Sequence, residues 1–218
     1  MTTLALLCLS TTLALASCKN TADQPAPGSP GSAVPTTEQP TLEPAQPTAQ
    51  PDRVEVLARH LPIAGKADLD SDPVIVHFDK FAITRASFDP KNLEGGTATI
   101  ELDPTKIKTG DAERDTDLKS PDFFDVGKFA TITIDVANVK KLADAKYTAD
   151  ATVACHGMTK TYAVTFEVLA TTADRVRIKG EYAFSRLDFA IGVDPAKDPT
   201  ERVDTALTIQ WTLTLKKT

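Results

Sequence analysis

Val203-Asp204-Thr205-Ala206-Leu207-Thr208-Ile209-Gln210-Trp211-Thr212-Leu213-Thr214-Leu215 is the stretch that decides the fold. Val203, Thr205, Leu207, Ile209, Trp211, Leu213 and Leu215 share one face, and Asp204, Ala206, Thr208, Gln210, Thr212 and Thr214 share the other. Successive side chains of a strand point to opposite faces, so this alternation reads as a strand with one face in a core and one toward water. The same period of two recurs upstream. Val176, Ile178, Tyr182 and Phe184 form one set, and Tyr162, Val164, Phe166 and Val168 another. Within 130–139, Ile132, Ile134 and Val136 face Thr131, Thr133 and Asp135 across the strand. Shorter candidates are 147–155, 97–102, 82–88 and 74–78.

Turn chemistry separates these segments: Asp89-Pro90, Glu94-Gly95-Gly96, Asp103-Pro104, Thr109-Gly110, His156-Gly157 and the stretch 194–199. The reading gives about eight strands, apolar on one face and therefore antiparallel. One short helix is expected over 120–126, where Pro121 comes early and Phe123 and Phe124 follow. The fold class is thus all-β, a sandwich or a closed barrel. A barrel of about eight strands either fills its interior with side chains or leaves room for one small ligand. Both readings stand at this point.

The N-terminus carries a different signal. Residues 4–15 form a Leu-rich apolar run, too short to span a hydrocarbon core, which needs about 20 residues. It has the length of a secretory h-region. The run ends in Leu15-Ala16-Ser17-Cys18, which resembles the bacterial lipobox. That resemblance implies a lipoprotein signal peptide over 1–17 and an acylated Cys18 as a membrane anchor, since two acyl chains hold a protein stably where one does not. An ordinary cleaved signal with an incidental cysteine is the alternative. Met1-Thr2-Thr3 lacks the basic residue with which such signals open. Residues 18–52 carry eight prolines among Thr, Ala, Gln, Ser and Glu, with only Val34 and Leu42 as large apolar side chains. Such a segment cannot collapse and reads as an extended tether. The barrel domain is expected over 53–218. Removal of Cys8 and acylation of Cys18 would leave Cys155 as a lone buried thiol, so no disulfide can brace the fold.

Three stretches of the domain together are similar to the YceI-like family. The first runs from Ile107-Lys108-Thr109-Gly110 through Arg114-Asp115 to Leu118-Lys119-Ser120-Pro121-Asp122-Phe123-Phe124-Asp125-Val126. The second is His156-Gly157-Met158-Thr159-Lys160, and the third Arg186-Leu187-Asp188-Phe189-Ala190-Ile191-Gly192. The resemblance covers roughly 74–217. Asp117 stands where the family usually has histidine, Ala190 where it usually has glycine, and 53–72 matches poorly. What the resemblance implies is a lipocalin-like barrel around a long apolar chain: a polyisoprenoid, an isoprenoid quinone or a fatty-acid derivative. It also implies an exported protein that transports or stores such a lipid in the periplasm. Apolar chains gain about 0.8 kcal/mol per buried CH₂, so a dry lumen is a sufficient physical basis for carriage. The candidate lining residues are Phe78, Phe88, Ile132, Ile134, Val136, Phe166, Tyr182, Phe184, Ile209 and Trp211. Phe123 and Phe124 are expected to pack the helix on the barrel or to gate its mouth.

Other chemistry is not indicated. A net charge of −6 argues against nucleic acid. His60, His77 and His156 lack metal-ligand spacing and read as surface or turn residues. Asp68-Leu69-Asp70-Ser71-Asp72 begins like a calcium loop but meets Pro73 where glycine is required. No nucleophile elbow, phosphate loop or C-x-x-C is present, so neither catalytic residue nor cofactor is expected. The sequence reading is therefore a lipid-binding, non-enzymatic domain, anchored through Cys18 at the outer membrane and facing the periplasm. The alternative is a filled barrel acting as a tethered adaptor, with a hydrolase far behind. Homodimerisation is left open.

Overall fold

A computed structural model describes residues 51–61, 73–198 and 200–218. The proposed signal peptide, Cys18, nearly all of the tether and the Asp68–Asp72 stretch lie outside the described residues.

Among the described residues, ten strands form one antiparallel sheet. They are β1 (Arg53–Ala58), β2 (Val74–Phe78), β3 (Phe81–Asp89), β4 (Asn92–Leu102), β5 (Ile107–Lys108), β6 (Ile132–Ala143), β7 (Lys146–Cys155), β8 (Met158–Thr171), β9 (Arg175–Ser185) and β10 (Ala206–Lys216). The spatial order is β3-β4-β6-β7-β8-β9-β10-β1-β2-β5. The expected count of eight was low because β1 and the two-residue β5 carry too little alternation to register as strands. The sheet curls until its C-terminal end meets β3, where the Thr218 N–H donates to the Ala86 carbonyl at 2.9 Å. Antiparallel all-β architectures manage their exposed edges by this kind of closure.

The long β10 begins at Ala206, three residues later than the alternation predicts, Val203 making only an isolated bridge to His60, and pairs with β9 over eleven register positions from Ala206↔Ser185 to Lys216↔Arg175. Its inward set of Leu207, Ile209, Trp211, Leu213 and Leu215 lines the barrel interior. In β6 the inward parity switches. Ile132, Ile134 and Val136 face inward, then Asn138 takes φ +54 and the register shifts, so that Val139 becomes the next buried residue. A bulge inserts one residue and re-aims the chain in this way.

The helix is not where the sequence reading put it. It is α1 (Ala112–Lys119), capped by Asp111, whose carboxylate accepts from the N–H groups of Glu113 and Arg114 at 2.9 and 3.1 Å. Ser120 ends it and Pro121 follows, so Pro121 stops a helix rather than starting one. Residues 120–126 are turns. Asp115 ties α1 to the end of β5 by accepting from the Thr109 N–H and hydroxyl at 2.7 and 2.8 Å, bonds that hold its carboxyl below the usual range.

Asp52, assigned to the tether by composition, is fastened to the barrel. Its carboxylate accepts from the Thr214 N–H (2.9 Å), the Thr214 hydroxyl (2.8 Å) and Arg177 Nη1 (3.1 Å).

Candidate functional site

The barrel encloses a cavity of about 400 Å³, within the usual 300–1,000 Å³ of small-molecule sites. Strands β1–β4 and β6–β10 supply its wall, which is almost wholly aliphatic and aromatic. One end is gathered by loops. Backbone bonds tie Leu61 to Arg202 (2.7 Å) and Asp204 to Arg59 (2.9 Å), and Gly192 donates to Asp122 at 3.0 Å. Arg59, His60, Arg114, Asp117, Phe123 and Phe124 all reach the cavity here. Phe124 packs edge-on against Phe78, with ring centroids 6.2 Å apart, from the turn after α1 rather than from a helix.

All ten candidate lining residues lie on this wall. Phe78, Phe88, Ile132 and Phe166 are buried, whereas Ile134, Val136, Tyr182, Phe184, Ile209 and Trp211 point inward yet stay partly accessible. Interiors are normally packed like organic crystals, with voids rarely larger than a water molecule. Inward-facing apolar residues that retain accessible surface therefore mark a hollow barrel. A filled barrel would close that surface with side chains.

Trp211 shows how the volume is kept open. It pairs with Gly180 across β10–β9, and a Cβ on Gly180 would run into the indole and lie 2.8 Å from the Thr165 carbonyl oxygen. The missing side chain lets the indole lie against the wall.

The sequence reading singled out the late Arg-x-Asp-Phe element without assigning its residues a place. Arg186 is 1 % exposed. Its Nε donates to the Asp204 carbonyl (3.1 Å), Nη1 to Ile191 (2.8 Å) and Nη2 to Val193 (2.7 Å) and Val203 (2.8 Å). Glu201 lies 3.8 Å away and offsets its charge. One guanidinium thus fastens the 191–204 segment to the end of β9. Asp188 accepts from the Tyr162 hydroxyl at 2.8 Å, and burial followed by this bond raises the tyrosine above its ordinary range. Phe189 packs on Tyr162 and Phe184 at 6.3 and 6.1 Å. Ala190 adopts φ +52, a left-handed conformation that explains the usual glycine at this position.

Cys155 is buried in the wall, and burial pushes its thiol up to about 12. Such a thiol is inert packing rather than a nucleophile. His156 bonds the Phe189 carbonyl through Nδ1 at 2.9 Å, and His77 lies 3.2 Å from Glu55. Among the described residues, no cluster of three or more His, Cys, Asp or Glu side chains is placed to hold a metal.

The model of the YceI-like domain matches residues 50–215. The chain belongs to the YceI-like domain family. The match starts before β1, so the family pattern takes in the N-terminal segment that the motif resemblance left out. A UPF0312 protein of Vibrio campbellii is 28 % identical over 129 residues, spanning 57 % of this chain and 67 % of the relative. One from Vibrio vulnificus is 30 % identical over 88 residues, spanning 40 % and 47 %. The chain thus spans about half to two thirds of the length of these relatives. Burkholderia cenocepacia BcnA has the same fold, with TM-score 0.64 at 21 % identity over 76 % of this chain and 96 % of that one. So does a polyisoprenoid binding domain from Saccharophagus degradans implicated in plant cell wall breakdown, with TM-score 0.56 at 13 % identity over 77 % and 94 %.

Proposed function

We propose that this YceI-like domain binds a single long apolar lipid in its lumen, and that it serves as a carrier or reservoir for isoprenoid or acyl lipid in the bacterial envelope. The observation that carries the reading is the cavity of about 400 Å³ walled by inward, partly accessible apolar side chains. A neighbour of the same fold being a polyisoprenoid binding domain supports it. Binding needs only removal of apolar surface from water, worth about 25 cal/mol per Å². The role is binding rather than catalysis. Acylation of Cys18 and an outer-membrane location complete the proposal, with the tether holding the barrel off the bilayer.

Trp211 is the only tryptophan and lies on the lumen wall, so it reports occupancy directly. Titration with a brominated acyl chain should quench its fluorescence saturably at a stoichiometry near one. Absence of quenching, with the protein folded, would overturn the reading. The anchor is tested separately by metabolic labelling with an alkyne-tagged fatty acid, which should mark the wild-type chain and not Cys18→Ser.

A further inference from the structure

We propose that one cross-strand row, made of Trp211, Gly180, Phe166 and Tyr147, is the floor of the lumen and sets the length of chain it takes, about thirteen carbons. This rests on the reading of the lumen as a lipid site and assigns that site a chain length.

The four residues stand opposite one another across four strands: Trp211↔Gly180 between β10 and β9, Gly180↔Phe166 between β9 and β8, and Phe166↔Tyr147 between β8 and β7. Tyr147 and Phe166 are buried and stacked, with ring centroids 5.6 Å apart and planes 13° from parallel. Gly180 has no side chain, and the Trp211 indole takes the space a Cβ there would need. The row is therefore a band of rings around the inner face.

Burial changes at this row. On the mouth side, Leu207, Ile209, Tyr182 and Phe184 point inward and keep accessible surface. On the far side, the next inward residues of the same two strands, Leu213, Leu215, Ile178 and Val176, are all buried, Val176 to 0 % exposure. Leu93 and Val139 are buried at that end too. Such burial is that of a close-packed interior, so the open volume stops at the row. The other end is where exposed Arg59 borders the cavity. The lumen is thus a sac with its mouth at the loops and its floor at the rings. A methylene occupies close to the roughly 30 Å³ share of a water molecule in the liquid, so 400 Å³ holds about thirteen of them. That is the size of a fatty-acyl chain or a short prenyl chain. Carbons beyond that number stay at the mouth in water and gain nothing.

The test is isothermal titration calorimetry of saturated fatty acids, decanoate to octadecanoate, into the full chain carrying Cys18→Ser, alone and with Trp211→Leu or Gly180→Ala added. Affinity should rise about fourfold per carbon while each new methylene is buried, and then level off near thirteen carbons. Trp211→Leu deepens the sac, so the levelling should come about two carbons later. Gly180→Ala pushes the indole into the lumen, so it should come earlier. Far-UV circular dichroism checks that both variants are folded, and the series on the Cys18→Ser chain stands without them. Affinity that climbs steadily to octadecanoate would overturn the length limit while leaving the lumen reading in place. A levelling point that both folded variants leave unmoved would overturn the assignment of the floor. Failure of every acid, decanoate included, to bind the Cys18→Ser chain would overturn the lumen reading itself, and this inference with it.

Discussion

Replacing Arg186 with methionine keeps a long unbranched side chain but removes every donor from a buried position. Four carbonyls, those of Ile191, Val193, Val203 and Asp204, lose their partner at once. A typical net hydrogen bond contributes about 0.5–1.5 kcal/mol, and an acceptor left buried and unmet costs about 1–3 kcal/mol. Some of these carbonyls sit in a half-exposed loop and will find water, so the sum settles at about 3–5 kcal/mol. For a domain of this size each 1 kcal/mol moves Tm by about 2–4 °C, which gives a fall on the order of 6–20 °C. Urea unfolding followed by far-UV circular dichroism should show a lower midpoint with an unchanged slope, because the same surface is exposed on unfolding. Arg186→Lys should recover little, since one ammonium cannot span carbonyls arranged around a fork. A loss below about 1 kcal/mol for Arg186→Met would refute the claim that this guanidinium holds the 191–204 segment in place.

Ile134→Arg puts a charge on a partly accessible lumen wall, so the protein should fold while quenching of Trp211 by a brominated acyl chain disappears. Gly180→Ala forces the Trp211 indole off the wall into the lumen, and should cost about 1–3 kcal/mol while shifting the tryptophan emission. Ala190→Gly relieves a left-handed φ of +52 and should raise the urea midpoint by about 1 kcal/mol of stability. Cys155 gives a pH signature: its folded value of about 12 exceeds the ordinary 9.0, so its contribution is complete below about pH 9 and is lost as pH rises toward 12. Stability should fall there by up to about 1.4 kcal/mol per pH unit, and Cys155→Ala should remove that part of the slope.

The barrel's inner face was legible because period-two alternation is a direct record of which side chains are buried. Leu207 to Leu215, Tyr162 to Phe166 and Ile132 to Val136 all follow it onto the lumen wall. Elements without that record were missed or moved. Helix α1 has no buried residue, so no apolar stripe announces it, and only the Asp111 cap and the Pro121 stop mark its ends. The two-residue β5 is too short to alternate. Asp52 was indistinguishable from the tether because its role depends on Arg177 and Thr214, more than a hundred residues away. Arg186 was visible as part of a motif, but its four carbonyl partners are backbone groups that no sequence displays. The hollow interior was equally hidden, since strands lining a filled core and strands lining a lumen carry the same alternation.

The central claim is that the lumen holds one long apolar lipid, and native mass spectrometry of the Cys18→Ser chain, purified from bacterial cells without detergent and then offered an isoprenoid quinone and a fatty alcohol, tests it most directly. The account predicts a one-to-one adduct, either carried from the cells and fragmenting as a prenyl or acyl chain, or formed on addition. An apo mass that takes up neither lipid would contradict it.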